Sequence, residues 1–253
     1  MNETFKHWET YWGELVPADN SPLVTTLFGY ETVTPVHQNN PGQVRIADSG
    51  ACFGFITQGR ARISDHQIDW QLRSGQWFVS ASGLTLELDP ETRLFIAQRQ
   101  GYRGLYAMGG PVEQAGRLRY IDGCSDTLLG APPVQGDPCL NLLHFPAGIE
   151  QTQHTHPSLR AGIVASGMGE CVTPTGNTRL TPGKIFHIPA QAQHSFRTGN
   201  TAMDIIAFHP DSDWGPTHEN HPMLNRTWVD GKKIQNSSNK HIPRALIQGQ
   251  EIS

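Results

Sequence analysis

The sequence predicts an all-β protein of two similar halves, opened by one short helix. Three observations carry this. Gly 26 and Pro 18 among 253 residues, with only 17% charged, suit many short strands joined by tight turns better than a helical protein. Short β-prone runs punctuated by turn residues fill Leu23 to Gly110, and resume from Cys139 to His209. The two stretches also align at one offset of 108 residues. Gly59 and Gly75 are 16 residues apart, as are Gly167 and Gly183, so ITQG (56–59) falls on VASG (164–167) and LRSGQWFVSA (72–81) on LTPGKIFHIP (180–189). Two glycines held at one offset inside the same β pattern imply a duplicated β domain.

In chain order, residues 3–15 set Phe5, Trp8, Trp12 and Leu15 at three- and four-residue spacings, with Glu3, Lys6, Glu9 and Glu14 between them. That spacing predicts an amphipathic helix within an N-terminal arm (1–28), its aromatic stripe packed on a sheet or a subunit interface. Runs such as ACFGFITQG, RARISD, QWFVSAS and RLFIAQR, with turns at Asn40-Pro41, Ser74-Gly75 and Ser82-Gly83, define a first β domain over 29–110. Apolar density falls over 111–138, read as a connector in which Leu128 and Leu129 can still pair as a short strand. LNLLHF, AGIVASG, GECVT, KIFHIP and MDIIAFH define a second β domain over 139–210. The extension 211–253 carries Trp214, His218, His221 and Arg226, then a polar stretch from Lys232 to Lys240 and a last strand at 242–248.

Charge and cysteine usage exclude several classes. A net charge of −4 and a pI near 6.3 provide no footprint for nucleic acid or an anionic membrane. Cys52, Cys124, Cys139 and Cys171 form no CxxC pair, which argues against a disulfide scaffold or a thiolate zinc site; Cys171 reads as a small buried hydrophobe. The N-terminal MNETFKHWETYWGEL lacks the basic region and apolar run of a signal peptide, and no segment approaches a membrane span. The expectation is a cytoplasmic protein.

The chemistry concentrates in Gly148 to Thr198. His154 and His156 are two residues apart, so on a strand both imidazoles share one face. His194, arriving from a later strand, can close a tripod around a divalent ion; imidazole suits Zn, Cu, Fe and Ni and does not choose among them. His144 and His187, on the strands before these motifs, either line the pocket or are satisfied strand residues.

This stretch resembles the cupin family at both of its motifs. The first runs Gly, five residues, H-x-H, three or four residues, Glu, six residues, Gly; here it is Gly148, His154, His156, Arg160 and Gly167. The second runs Gly, five residues, P-x-G, two residues, His, three residues, Asn; here it is Gly183, Pro189, Gln191, His194 and Thr198. The resemblance implies a bicupin: two cupin-type (double-stranded β-helix, jelly-roll) barrels with ligands held inside. It implies one divalent metal per chain on His154, His156 and His194, with Fe(II) favoured and Mn, Ni or Zn as alternatives. The offset puts Ile46, Asp48, Cys52 and Leu86 at the corresponding positions of the first barrel, a set that makes no His-rich site.

Arg160 stands where the family has a metal-binding Glu. It stays protonated and cannot ligate a cation. Either it anchors an anionic substrate in a bidentate grip, or it swings to the rim and pairs with an acid such as Glu150 or Asp204. The three-His pattern is similar to that of thiol and diketone-cleaving dioxygenases of this family. That implies a non-haem Fe(II) dioxygenase inserting oxygen from O2 into a small anionic substrate, with Arg160 and His144 beside it. A metal-dependent isomerase, lyase or hydrolase, and a small-ligand-binding or sensor protein without catalysis, are the alternatives. The N-terminal arm further suggests a homodimer.

Overall fold

The computed structural model describes residues 4–18, 22–40, 42–131, 134 and 136–211, with the backbone of 228–229 and 232–233. Residues 1–212 form one compact unit and 213–253 another. In the first half the strands are β1 (Lys6–Trp8), β2 (Trp12–Val16), β3 (Thr25–Glu31), β4 (Gln43–Arg45), β5 (Gly50–Gln58), β6 (Arg60–Ser64), β7 (Asp69–Arg73), β8 (Trp77–Ser80), β9 (Thr85–Leu88), β10 (Arg93–Gln100) and β11 (Ala107–Gly109). The second half has β12 (Leu118–Arg119), β13 (Ser125–Gly130), β14 (Cys139–Phe145), β15 (Arg160–Gly167), β16 (Gly169–Thr173), β17 (Gly176–Leu180), β18 (Ile185–Ile188), β19 (Ser195–Arg197) and β20 (Met203–His209). A single 3₁₀ turn, Ile121–Gly123, is the helical element of the described residues. In the other unit, β21 (Trp228–Val229) and β22 (Lys232–Lys233) pair antiparallel. Trp214, His218, His221, Arg226 and the strand expected at 242–248 lie outside the described residues.

The two halves repeat one wiring. The large sheet of the first has the order β11-β8-β5-β10-β3-β2, and that of the second β1-β18-β15-β20-β14-β13-β12. Their centres, β8-β5-β10-β3 and β18-β15-β20-β14, correspond strand for strand, and in the small sheets β9-β6-β7 corresponds to β19-β16-β17, with β4 an added edge strand in the first half. The offset glycines correspond too: Gly59 and Gly167 have φ of 76° and 66°, Gly75 and Gly183 of 84° and 82°. Each stands at a strand end or in the turn between two strands, in the left-handed region, where glycine carries no Cβ penalty. At Gly167 a Cβ would collide with the Ala202 carbonyl oxygen.

Strand alternation sorts the core into layers. Phe53, Phe95 and Leu27 from the first large sheet meet Leu140, Ile163 and Phe208 from the second, with the Phe53 and Phe208 rings 5.3 Å apart. The opposite face of each large sheet packs on its own small sheet. Phe78 and Leu94 cover Ile63, Leu72 and Leu86 in the first half, while Phe145, Val164 and Phe186 cover Cys171, Leu180 and Phe196 in the second. Of the positions aligned with the second-half histidines and Arg160, Ile46, Cys52 and Leu86 are at most 2% exposed and belong to this apolar packing. Asp48 accepts from Arg103 and from the Gly83 amide.

The helix expected over 3–15 is absent, and the structure corrects it to strands. β1 adds to β18 of the second large sheet and β2 to β3 of the first. A lone helix of this length is marginal in water, whereas two open sheet edges offer ready-made backbone partners. Gly13, at φ 105°, also breaks helical geometry. The four apolar residues then divide among three cores: Trp8 and Leu15 pack between the large sheets, Trp12 on the first inner core and Phe5 on the second. The stretch 111–138 is likewise more than a connector, because β12 and β13, the latter holding Leu128 and Leu129, extend the second large sheet.

If the left-handed corner at Gly167 is as tight as its surroundings indicate, Gly167→Ala lowers stability by more than about 2 kcal/mol. Gly199→Ala, where a Cβ meets nothing within 4 Å, changes it by less than about 0.5 kcal/mol. Urea unfolding of the two variants checks the contrast.

Candidate metal centre

His154 and His156 lie in the segment between β14 and β15, and His194 just before β19. Rather than a regular strand, a one-residue antiparallel bridge joins the two segments at His154 and His194. Each of these residues donates its amide to the other's carbonyl, at 2.9 and 3.0 Å. A hydrogen-bonded antiparallel pair puts both side chains on one face, and here the rings are 4.6 Å apart. His156 joins them at 4.9 Å from His154 and 5.2 Å from His194. One ligand nitrogen from each lies within 4.8 Å of the others, and this is the one His/Cys/Asp/Glu group of that kind among the described residues.

Hydrogen bonds prepare two of the rings. His154 Nδ1 lies 2.8 Å from the Thr152 carbonyl and His194 Nδ1 2.9 Å from that of Ala192. A carbonyl only accepts, so both Nδ1 atoms carry the proton and both Nε2 lone pairs are available to a cation. The Thr152 amide is held by the Asp122 carboxylate at 2.6 Å, and this bond keeps Asp122 below the ordinary carboxylate range. On the other side, Gln191 at φ 61° donates its amide to the His156 carbonyl at 2.8 Å. Gln191 occupies the glycine position of the second motif and takes the left-handed conformation that explains a glycine there.

Burial dominates the electrostatics. It pushes the His156 imidazole down to about 3 and that of His194 to about 4, with the Arg160 charge and the neighbouring rings adding to the shift. The three donors converge with no carboxylate among them, and burial favours the neutral form of His156 and His194 that a cation needs.

Arg160 opens β15 on the same face as Val164, which packs in the inner core. Its Nη1 donates to Ser158 Oγ at 2.6 Å and to the Leu159 carbonyl at 2.8 Å. Ser158 Oγ donates in turn to Asp211, whose carboxylate is 3.6 Å from the guanidinium. The acid beside Arg160 is therefore Asp211, not Glu150 or Asp204. His144 goes elsewhere. It shares its face of β14 with Leu140 and Leu142, which point between the large sheets, whereas Leu143 and Phe145 face the inner core. Its Nδ1 pairs with Asp204 Oδ1 at 2.6 Å, and the structure does not bring it to the three histidines. His187 shares the Ile185 face of β18, opposite Phe186 and Ile188 and so off the inner core, and lines the cleft that His194 also borders.

Two interior groups went unread in the sequence. His209 continues the inward face of Met203, Ile205 and Ala207 on β20. Burial first, then Arg160 and His156, push its imidazole well below the usual value. The period-two pattern of MDIIAFH was the available signal. Gln151 lies across from Phe196, donating its amide to the Phe196 carbonyl and accepting the Phe196 amide at its Oε1, 3.2 Å away. The Gln151 side chain is buried, and its Nε2 has no hydrogen-bond partner among the described residues.

Two outcomes test this description. Metal-free protein loses stability as the pH falls from 6.5 toward 4, since the unfolded chain takes protons near 6.5 that buried His156 and His194 refuse until about 3 and 4. The slope is at most about 1.4 kcal/mol per pH unit for each imidazole, is absent above neutrality, and shrinks in His194→Gln; urea midpoints across this range measure it. Asp122→Ala, which releases the carbonyl orienting His154, weakens Zn(II) binding by about tenfold in competition with a chromophoric chelator.

No protein-family model matches the chain, and no curated protein matches it in sequence. Solved structures do match in fold. A Cupin 2 conserved barrel domain protein from Leptotrichia buccalis superposes with a TM-score of 0.54 at 12% identity, over 81% of this chain and 88% of that one. A salicylate 1,2-dioxygenase from Pseudaminobacter salicylatoxidans gives 0.53 at 12% identity, over 74% and 70%. A variant of the oxalate decarboxylase from Bacillus subtilis gives 0.52 at 10%, over 85% and 79%. With its large and small antiparallel sheets, the chain thus has a cupin-type fold.

Proposed function

We propose that the chain is a metal-dependent enzyme, a non-haem Fe(II) dioxygenase acting on a small anionic organic compound. The observation that carries this is the donor set. Three imidazoles converge with no carboxylate ligand, and a fixed positive charge stands beside them. His154, His156 and His194 would hold the ion, which when bound supplies open positions where substrate and O2 meet.

The protein's own groups do the rest. Arg160 holds the anionic end of the substrate, its guanidinium oriented by Ser158 and Leu159. Asp211 beside it balances the charge before substrate arrives. His209 presents an imidazole that burial keeps neutral, a hydrogen-bonding group that adds no second positive charge near Arg160.

A second reading keeps the metal and drops the oxygen chemistry, making the chain a lyase, isomerase or hydrolase using Mn, Ni or Zn. The fold likeness to an oxalate decarboxylase, as close as that to a dioxygenase, favours keeping it in view. Protein purified without oxygen decides between them. Bound iron and O2 uptake that depends on added carboxylate substrate are expected; Zn or Mn with no O2 uptake would sink the dioxygenase reading. Arg160→Leu should weaken carboxylate binding by at least about tenfold while metal content stays unchanged; equal loss of both would remove its role as anchor.

A further inference from the structure

A cleft of about 790 Å³ reaches the metal-binding group at His194, which belongs both to its wall and to that group. That volume lies in the range of small-molecule sites. Its polar end holds His194 and Ser158, the hydroxyl that bonds Arg160 and Asp211. Its remaining walls are apolar in larger part, with Phe5, Leu23, Leu159, Pro174, Pro189 and Pro210, interrupted by neutral polar side chains such as Thr4, Thr173 and Gln193.

Each wall is fixed. Phe5 stacks on Phe186 at 6.3 Å and 16°, just before β1 docks on β18. Glu9, beyond β1, meets Lys184 at 2.8 Å. Leu23 immediately precedes the β3 segment, where Thr25 Oγ1 donates to its carbonyl at 2.8 Å. Pro174 sits in the β16–β17 turn, which Thr173 closes by donating to the Gly176 carbonyl at 2.9 Å. Arg99 donates to the Pro210 carbonyl at 3.3 Å. The N-terminal segment therefore supplies one side of a preformed slot whose inner end meets the metal-binding group.

We propose that this cleft receives the apolar body of the substrate, so that the compound acted on is an amphipathic carboxylate. Its charged end lies at Arg160 and its alkyl or aryl part runs between Phe5, Leu23 and Pro174. The proposal rests on the metal-site reading for the position of the charged end. Charge complementarity at one end and the apolar share of the walls favour this class over a doubly charged compound, whose second charge would meet no Lys, Arg, Asp or Glu among the lining residues.

The test is calorimetric titration of the full-length protein, metal-free and Co(II)-loaded, with n-alkanoates from butanoate to octanoate. Kd should fall roughly fourfold for each added methylene in both forms. Leu23→Asp and Pro174→Asp should flatten that dependence while the Co(II) absorption spectrum stays as in the wild type. A Kd independent of chain length, no binding of octanoate, or an unchanged slope in both variants would overturn the cleft proposal. The metal reading then still stands if Co(II) binds and His154→Ala abolishes it. Conversely, chain-length dependence without Co(II) binding supports the cleft and removes the metal reading alone.

Discussion

The reciprocal pair of backbone hydrogen bonds between His154 and His194 is the constraint on which the site depends. Two segments 40 residues apart in sequence are pinned at one point, and the pairing geometry alone places two imidazoles on a common inward face. Everything around that point reinforces it. Asp122 holds Thr152, whose carbonyl orients the His154 ring, and the left-handed Gln191 holds the carbonyl of His156. The donors are thus positioned by main-chain contacts from outside the sheets, before any ion arrives, which limits the entropy lost on binding.

The same wiring, used twice, serves different ends. The first half spends its interior on apolar packing, with Ile46, Cys52 and Leu86 where the second half has His154, Arg160 and His194. The large sheets meet across Phe53, Phe208 and their neighbours, so the first half acts as a rigid backing for the second. The N-terminal arm crosses between them, one strand on each large sheet, and the Tyr11 hydroxyl donates to the Gly183 carbonyl at 2.7 Å. Through that crossing a segment remote in sequence from the histidines becomes part of the wall beside them.

Much of the architecture was legible in the residues. The strand runs, the offset of 108 and the four glycines that recur in it correspond to strand orders and φ values that repeat between the halves. His154, His156 and His194 stood out by motif spacing, but a single bridge between irregular segments brings the first and last of them together, not the strand period expected for His154 and His156. The arm was not legible, because Phe5, Trp8, Trp12 and Leu15 satisfy a helical period and a strand pairing equally well. Only the presence of two open sheet edges decides between them. His144 and His209 show a similar limit. Each stands at the polar end of an apolar strand, and which one faces inward depends on the pleat of neighbours such as Leu143 and Ala207.

By itself, then, the sequence determined an all-β chain with a repeated pattern and one histidine-rich segment, because turn residues, alternation and motif spacing are local properties. Only the tertiary structure decided which polar groups share the interior with those histidines. It put His209 and Gln151 there, sent His144 to Asp204, and set Asp211 rather than Glu150 beside Arg160. Such choices depend on which strands become neighbours and on which face each presents, and a chain acquires those relations only when its sheets have formed.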